Sequence, residues 1–222
     1  MTTDRQEASV RAADPSLDRR GVAAGIVLIA SSGASQVWMS PNRSPARCGP
    51  RHNGPMDGAS IRVREGQPDD DTTCLGVIRR SFATVADEFG FRPDTHQIFP
   101  AYWTPDRFAT ARAHDGLLLV AEYGDEIVGC CFAGADRNDA SSWQLKRLAV
   151  IPEARHHGVG ARLVSAAASR ASTAGMRRLS LRIVASNQHL ANWYLTLGFL
   201  LVATSRPAGL PFEVADFELP VP

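Results

Sequence analysis

Lysine is almost missing from this chain: Lys146 is the only one among 24 basic residues, and the rest are arginine. The bias reads as a composition effect, not a binding device. Net charge of one sign is missing as well. The basic residues face 23 acidic ones, for a formal charge of +1. That balance excludes the basic surface a nucleic acid or an anionic membrane would need. Cysteine is scarce, with four in 222 residues. No CxxC and no Cys/His spacing occurs, so neither a zinc site nor a disulfide framework is expected, and no metal is called for. Cys130 and Cys131 are adjacent in a strand-like run and should face opposite ways. Cys48 and Cys74 lie far away in sequence. Reduced thiols and a cytoplasmic location are therefore expected. Long apolar runs are missing too. The longest, Gly21 to Ala30, has ten residues, where a bilayer-spanning helix needs about 20.

What is present is ordinary for a globular protein, with 44% hydrophobic and 21% charged residues. The character changes near residue 58. Residues 1–58 hold scattered charges and turn pairs such as Pro41-Asn42 and Gly49-Pro50, with no lasting period. The run 21–30 follows Arg19-Arg20 and precedes small residues at 32–35, as a signal peptide would. The long leader before it, with acidic residues mixed in, argues against export. A disordered leader or an over-extended translation start is expected for 1–58. Met56 offers an alternative start just ahead of the first convincing strand. Residues 59–222 then form a single domain.

From Ile61 the periodicities become regular. Ile61 to Glu65 alternates as a strand does. Asp69, Asp70 and Asp71 supply caps and negative charge for a helix whose buried face is Leu75, Ile78, Phe82, Val85 and Phe89. Thr104-Pro105 starts a second, shorter helix. Strands 117–122 and 126–132 form a hairpin, and 142–150 is a further strand. A helix over 160–174, a strand over 179–184 and an amphipathic helix over 187–197 follow, the last closed by Gly198. Strands 199–203 and 212–219 end the chain.

The stretch Arg155-His156-His157-Gly158-Val159-Gly160 carries the chemistry. It lies between a strand and a helix. Glycines let bare backbone N–H groups converge at the helix N-terminus, where the helix dipole adds its field. That is a metal-free way to hold a pyrophosphate. Arg155 and Arg162 are the nearby cations. Adjacent histidines point apart and have no third ligand close by, so His156 and His157 flank an anion better than they hold a metal.

The run from Leu145 through Pro152 to Gly160 resembles the acetyl-CoA-binding motif of the GNAT superfamily of N-acyltransferases. Asn187 to Phe199, with Tyr194 and Leu197-Gly198-Phe199, resembles that family's second block. Both blocks, in order and in this strand-helix-strand-helix context, are far more specific than either alone. The resemblance covers about residues 60–220. It implies a mixed α/β (α+β) fold: a mostly antiparallel twisted sheet with a central splayed parallel pair and about four flanking helices. It implies acetyl-CoA as co-substrate, its pyrophosphate on the amides of His156, His157, Gly158, Val159, Gly160 and Ala161. The pantetheine arm would lie along Leu148, Ala149 and Val150 in the gap between the parallel strands, and the side chain of Asn187 would touch it.

Tyr194 stands where the resemblance places a general acid, and a phenol can protonate a leaving thiolate. Its bland role is packing beside Trp193 and Leu197. The general base stays open. The position matching the family's frequent glutamate is Gln144, which takes no proton; Glu122, His96, a water relay and direct loss of the amine's proton to solvent all remain. The aromatic-rich segment from Phe89 to Phe108 is expected to supply core and part of an acceptor pocket. The acceptor is expected to be a primary amine, on a small molecule or a protein N-terminus, attacked in a ternary complex without a covalent enzyme intermediate. A non-catalytic acyl-CoA-binding regulatory module is the alternative. The resemblance leaves open a homodimer, or a loose proline-rich tail.

Overall fold

The computed structural model describes residues 60–208, 210 and 212–222. The expected leader, the alternative start at Met56 and Cys48 lie outside the described residues. A seven-stranded sheet runs in the order β1-β2-β3-β4-β5-β7-β6. Its strands are β1 (Ile61–Glu65), β2 (Leu117–Tyr123), β3 (Glu126–Ala135), β4 (Ser142–Val150), β5 (Arg178–Val184), β6 (Leu200–Ser205) and β7 (Val214–Pro220). Four α-helices accompany them among the described residues: α1 (Asp71–Phe89), α2 (Pro105–His114), α3 (Val159–Thr173) and α4 (Gln188–Thr196). None of these helices is long and apolar enough to cross a membrane.

Every neighbouring strand pair is antiparallel except β4 and β5. That parallel pair is joined only at Ser142–Arg178, Trp143–Leu179 and Gln144–Ser180. Beyond Gln144 the two strands part, although each runs on for several residues. The expected central splayed pair is therefore present. The last strand, β7, inserts between β5 and β6, so the sequence-adjacent β6 becomes the outer edge. All six residues of β6 are exposed.

The sheet's two faces are covered by different helices. On one face Phe132 meets Phe108 of α2 at 5.7 Å, and Cys130 Sγ donates to the Cys74 carbonyl in α1. On the other face Gly129 is covered by Val159 and Leu163 of α3; a Cβ there would lie 2.9 Å from Val159 Cγ1. Cys74, Cys130 and Cys131 are all free and buried.

Local chemistry explains most helix ends. Thr104 Oγ1 accepts from Arg107 N–H at the start of α2, and Asn187 Oδ1 accepts from Leu190 N–H at the start of α4. Gly198, with φ of 89°, follows the end of α4 in the left-handed region. The start of α1 differs from expectation. Asp70 belongs to a 3-10 turn, and its carboxylate takes Arg64 and the Gln67 N–H, at 2.6 Å each, with no capping bond into α1.

Gly116 fixes the entry to β2. Its φ is 95°, and a Cβ there would lie 2.6 Å from Gly134 Cα, with Ala133 backbone closer still. A Gly116→Ala variant combines positive-φ strain with a backbone clash and should lose about 2–4 kcal/mol of stability. Thermal denaturation checks this, with an unchanged melting temperature as the contrary result.

Candidate active site

The turn after β4 builds a cleft. Pro152–Ala154 form a 3-10 turn, and Arg155 to Gly158 loop back into α3. His156 (φ 65°) and Gly158 (φ 81°) both adopt left-handed backbone. That conformation costs a non-glycine residue roughly 1–3 kcal/mol and is kept where the surroundings demand it. It turns successive N–H groups toward one point at the α3 N-terminus. A Cβ on Gly158 would meet nothing within 4 Å, so the space beside the turn is open. The cleft there measures about 300 Å³ and is lined by Val150, Ala154, Arg155, His156, Gly158, Val159, Gly160, Ala161, His189, Leu190 and Trp193.

The structure thus brings together most of the residues assigned to the coenzyme. Leu148 and Ala149 are fully buried in β4 behind the cleft, and Asn187 is buried at the α4 cap. His157 lies off the lining, half-buried. Arg155 has two aspects. Its guanidinium is buried and binds the Val150 carbonyl at 3.3 Å, and the Ser81 carbonyl and Thr84 Oγ1 at 3.1 Å each. It therefore ties the glycine turn to α1. Its Nη1 has no hydrogen bond among the described residues, and the residue lines the cleft. Val150 N–H donates to Ser81 Oγ at 3.3 Å. Both backbone groups of Val150 on the open edge of β4 are accordingly held by the protein itself.

Tyr194 lies in α4 and packs toward the sheet. Its ring meets Phe199 edge-on at 5.3 Å and Phe217 of β7 at 6.3 Å, and the Cys131 thiol of β3 lies within its field. The side chain is fully buried, and its hydroxyl has no hydrogen-bond partner among the described residues. Asn187 Nδ2 is the same: buried, with no partner. A buried unsatisfied polar atom costs about 1–3 kcal/mol. Two such atoms lie on α4 and its cap, where a polar guest could satisfy them. Burial pushes the Tyr194 phenol well above its usual pKa of 10, and Cys131 pushes it the same way. The group therefore keeps its proton through neutral and mildly alkaline pH.

On the opposite face of the sheet lies a groove of about 450 Å³. Gln144 and Lys146 of β4, Ser180 and Arg182 of β5, and Asp216 and Glu218 of β7 line it, with Asp136, Arg137 and Asp139 from the β3–β4 connection. Gln144 occupies the last rung of the β4–β5 pairing, so this groove borders the point where the two strands part. Two candidates for the base are placed elsewhere. Glu122 sits on β2, with its carboxylate 2.6 Å from Arg64. His96 stacks on Phe91 at 4.6 Å and bonds to Thr95 Oγ1 at 2.8 Å.

Residues 85–199 match the model of the acetyltransferase (GNAT) family, slightly more than half of the chain. The chain belongs to the GNAT acetyltransferase family. No curated protein gives a significant sequence match. Solved structures repeat the GNAT fold. The paia N-acetyltransferase of Thermoplasma acidophilum, solved with coenzyme A, has a TM-score of 0.60 at 19% identity and aligns over 72% of this chain and 99% of its own. The yncA protein of Salmonella typhimurium, solved with its cofactor acetyl-CoA, scores 0.57 at 16% identity, over 73% and 95%. The ribosomal-protein-S18-alanine N-acetyltransferase of Escherichia coli scores 0.57 at 17% identity, over 72% and 94%. At these identities the likeness is one of GNAT fold.

Sequence reasoning did not single out His189, Leu190 and Trp193 as part of the GNAT cleft. Their positions one and four apart put them on one helical face, so α4's periodicity held the signal. The bulge at Arg147 was not legible. There φ is 51° and the β3–β4 register shifts between Cys130 and Phe132.

Proposed function

We propose that the protein is an acetyl-CoA-dependent N-acetyltransferase acting on a primary amine in a ternary complex. The observation that carries this reading is the pair of buried polar atoms without partners among the described residues, Tyr194 Oη and Asn187 Nδ2 on α4 and its cap, in a sheet whose parallel strands part after Gln144. They fit a thioester sulfur and an amide-bearing arm, and the turn at Gly158 and Gly160 fits the pyrophosphate. Acetyl-CoA supplies the activated acyl group. The amides from His156 to Ala161 hold its phosphates, and Asn187 orients the arm. The amine nitrogen bonds to the thioester carbon as the carbon–sulfur bond breaks. Tyr194 hydrogen-bonds the departing sulfur and passes it a proton, which it recovers from solvent, while the nitrogen's surplus proton leaves to solvent. No metal enters this sequence, and none of its steps forms a bond to the enzyme. The cytoplasm, where acetyl-CoA is made and used, suits this reading.

The test is release of free coenzyme A thiol from acetyl-CoA in the presence of an amine library. Amine-dependent release, with acetylated product by mass spectrometry, is the expected result. Binding of acetyl-CoA without transfer to any amine would favour a regulatory acyl-CoA-binding module instead.

A further inference from the structure

Lys146 is the one lysine of the chain, and its side chain is 4% exposed. Buried lysines are rare without a full set of partners. Its Nζ donates to Asp115 Oδ1 at 3.3 Å, and Arg147 Nη1 lies 2.7 Å from Asp115 Oδ2. One carboxylate thus serves two buried cations. Arg107 adds a further positive field at Arg147, whose guanidinium rests 4.8 Å from the Trp103 ring centroid. An ammonium has three N–H donors. Among the described residues Asp115 is the sole hydrogen-bond acceptor for Lys146.

Lys146 lines the groove on the face opposite the coenzyme cleft, just past Gln144, where β4 leaves β5. The carboxylates across the groove are already engaged. Asp136 accepts from Ser180 Oγ at 3.0 Å and from Asn138 N–H at 2.9 Å. Asp139 is held down at about 2 by the Ser141 hydroxyl and N–H and by Arg178. Asp216 takes Arg182 at 2.6 Å, and Glu218 lies 3.6 Å from Arg178. Arg137 is an exposed cation on the same lining, with no ion pair among the described residues. The lining as a whole carries four carboxylates against Arg137, Lys146 and Arg182, and Asp136 has only neutral partners; the positive excess is local, where Lys146 and Arg147 share Asp115, and a buried charge demands an opposite one.

We propose that Lys146 recognises a carboxylate on the acceptor, so that the acceptor is a small amine that also carries a carboxylate, of the amino-acid class. This rests on the acetyltransferase reading and deepens it. An acceptor anchored by its carboxylate at Lys146 lies two residues along β4 from Gln144, where the pairing with β5 ends.

A single lysine gives a direct probe. In the full chain labelled with carbon-13 lysine, Lys146 contributes the only lysine εCH₂ signal. The CoA-saturated protein is titrated with N-acetylated amino acids and, separately, with the same compounds as primary amides. The expected result is a saturable shift with the carboxylates and none with the amides. Equal shifts from both series, or none from either while calorimetry shows CoA bound, overturns the proposal and leaves the acetyltransferase reading standing. Failure to bind CoA overturns both. In kinetics, Lys146→Met should raise KM for carboxylate acceptors about 10- to 100-fold, the loss typical of a charged hydrogen bond, with partial recovery in Lys146→Arg. An equal loss for amide acceptors would mark a packing role instead.

Discussion

Replacing Tyr194 with phenylalanine should lower kcat by about 100-fold or more and leave the affinity for acetyl-CoA within about threefold. The phenol is buried and pushed well above its usual pKa by burial and by Cys131, so it is a proton holder at every working pH. A phenol of that kind keeps its proton in the free enzyme and can hydrogen-bond the sulfur as negative charge develops on it, taking back from solvent any proton it passes on. Removing the hydroxyl leaves the ring contacts with Phe199 and Phe217 in place. It also removes a buried unsatisfied atom, so the unliganded variant should melt no lower than the wild type. This combination separates chemistry from packing. A packing role would show as a lowered melting temperature with kcat intact. A sensor that only reports occupancy would lose neither binding nor output. The raised pKa also fixes a sign in the pH profile. Tyr194 stays protonated as pH rises toward 10, so it should produce no alkaline fall in kcat below that point.

Glutamate at position 160 should abolish coenzyme binding. Gly160 lies in the first turn of α3 and lines the cleft beside Gly158. A carboxylate there would stand where the pyrophosphate needs bare N–H groups, and like charges would meet at short range. The wild-type protein with acetyl-CoA at 100 times its dissociation constant should gain about 2.7 kcal/mol of apparent stability. Thermal shift measurements should show that gain in the wild type and none in Gly160→Glu. The melting temperature without ligand should change little, because position 160 is half-exposed and glutamate suits the first turn of a helix. Retention of the ligand-induced shift would move the phosphate site away from this turn.

Much of the fold could be read from local periodicity. The apolar face of α1, the caps at Thr104 and Asn187 and the glycine after α4 are short-range devices, and each stands where its chemistry predicts. What escaped depends on long-range pairing. That β7 enters between β5 and β6 is a choice of partner, and alternation within each strand is silent about it. The bulge at Arg147 was hidden for the same reason: it exists only relative to β3. Within the candidate site, the glycine turn and Tyr194 carry motif signals. The second aspect of Arg155, its grip on Ser81 and Thr84 of α1, bridges more than 70 residues of sequence and leaves no local trace. The single lysine looked like composition alone. Only folding, which puts it beside Asp115 and Arg147 under Trp103, turns that oddity into chemistry.

The central claim is that the Gly158–Gly160 turn and the gap between β4 and β5 form one acetyl-CoA site. Isothermal titration of the full chain with acetyl-CoA tests it most directly. One molecule should bind per chain, with a dissociation constant on the order of 1–100 µM. Absence of binding by the native protein would contradict it, and the glycine turn would then be an ordinary strand-to-helix connection.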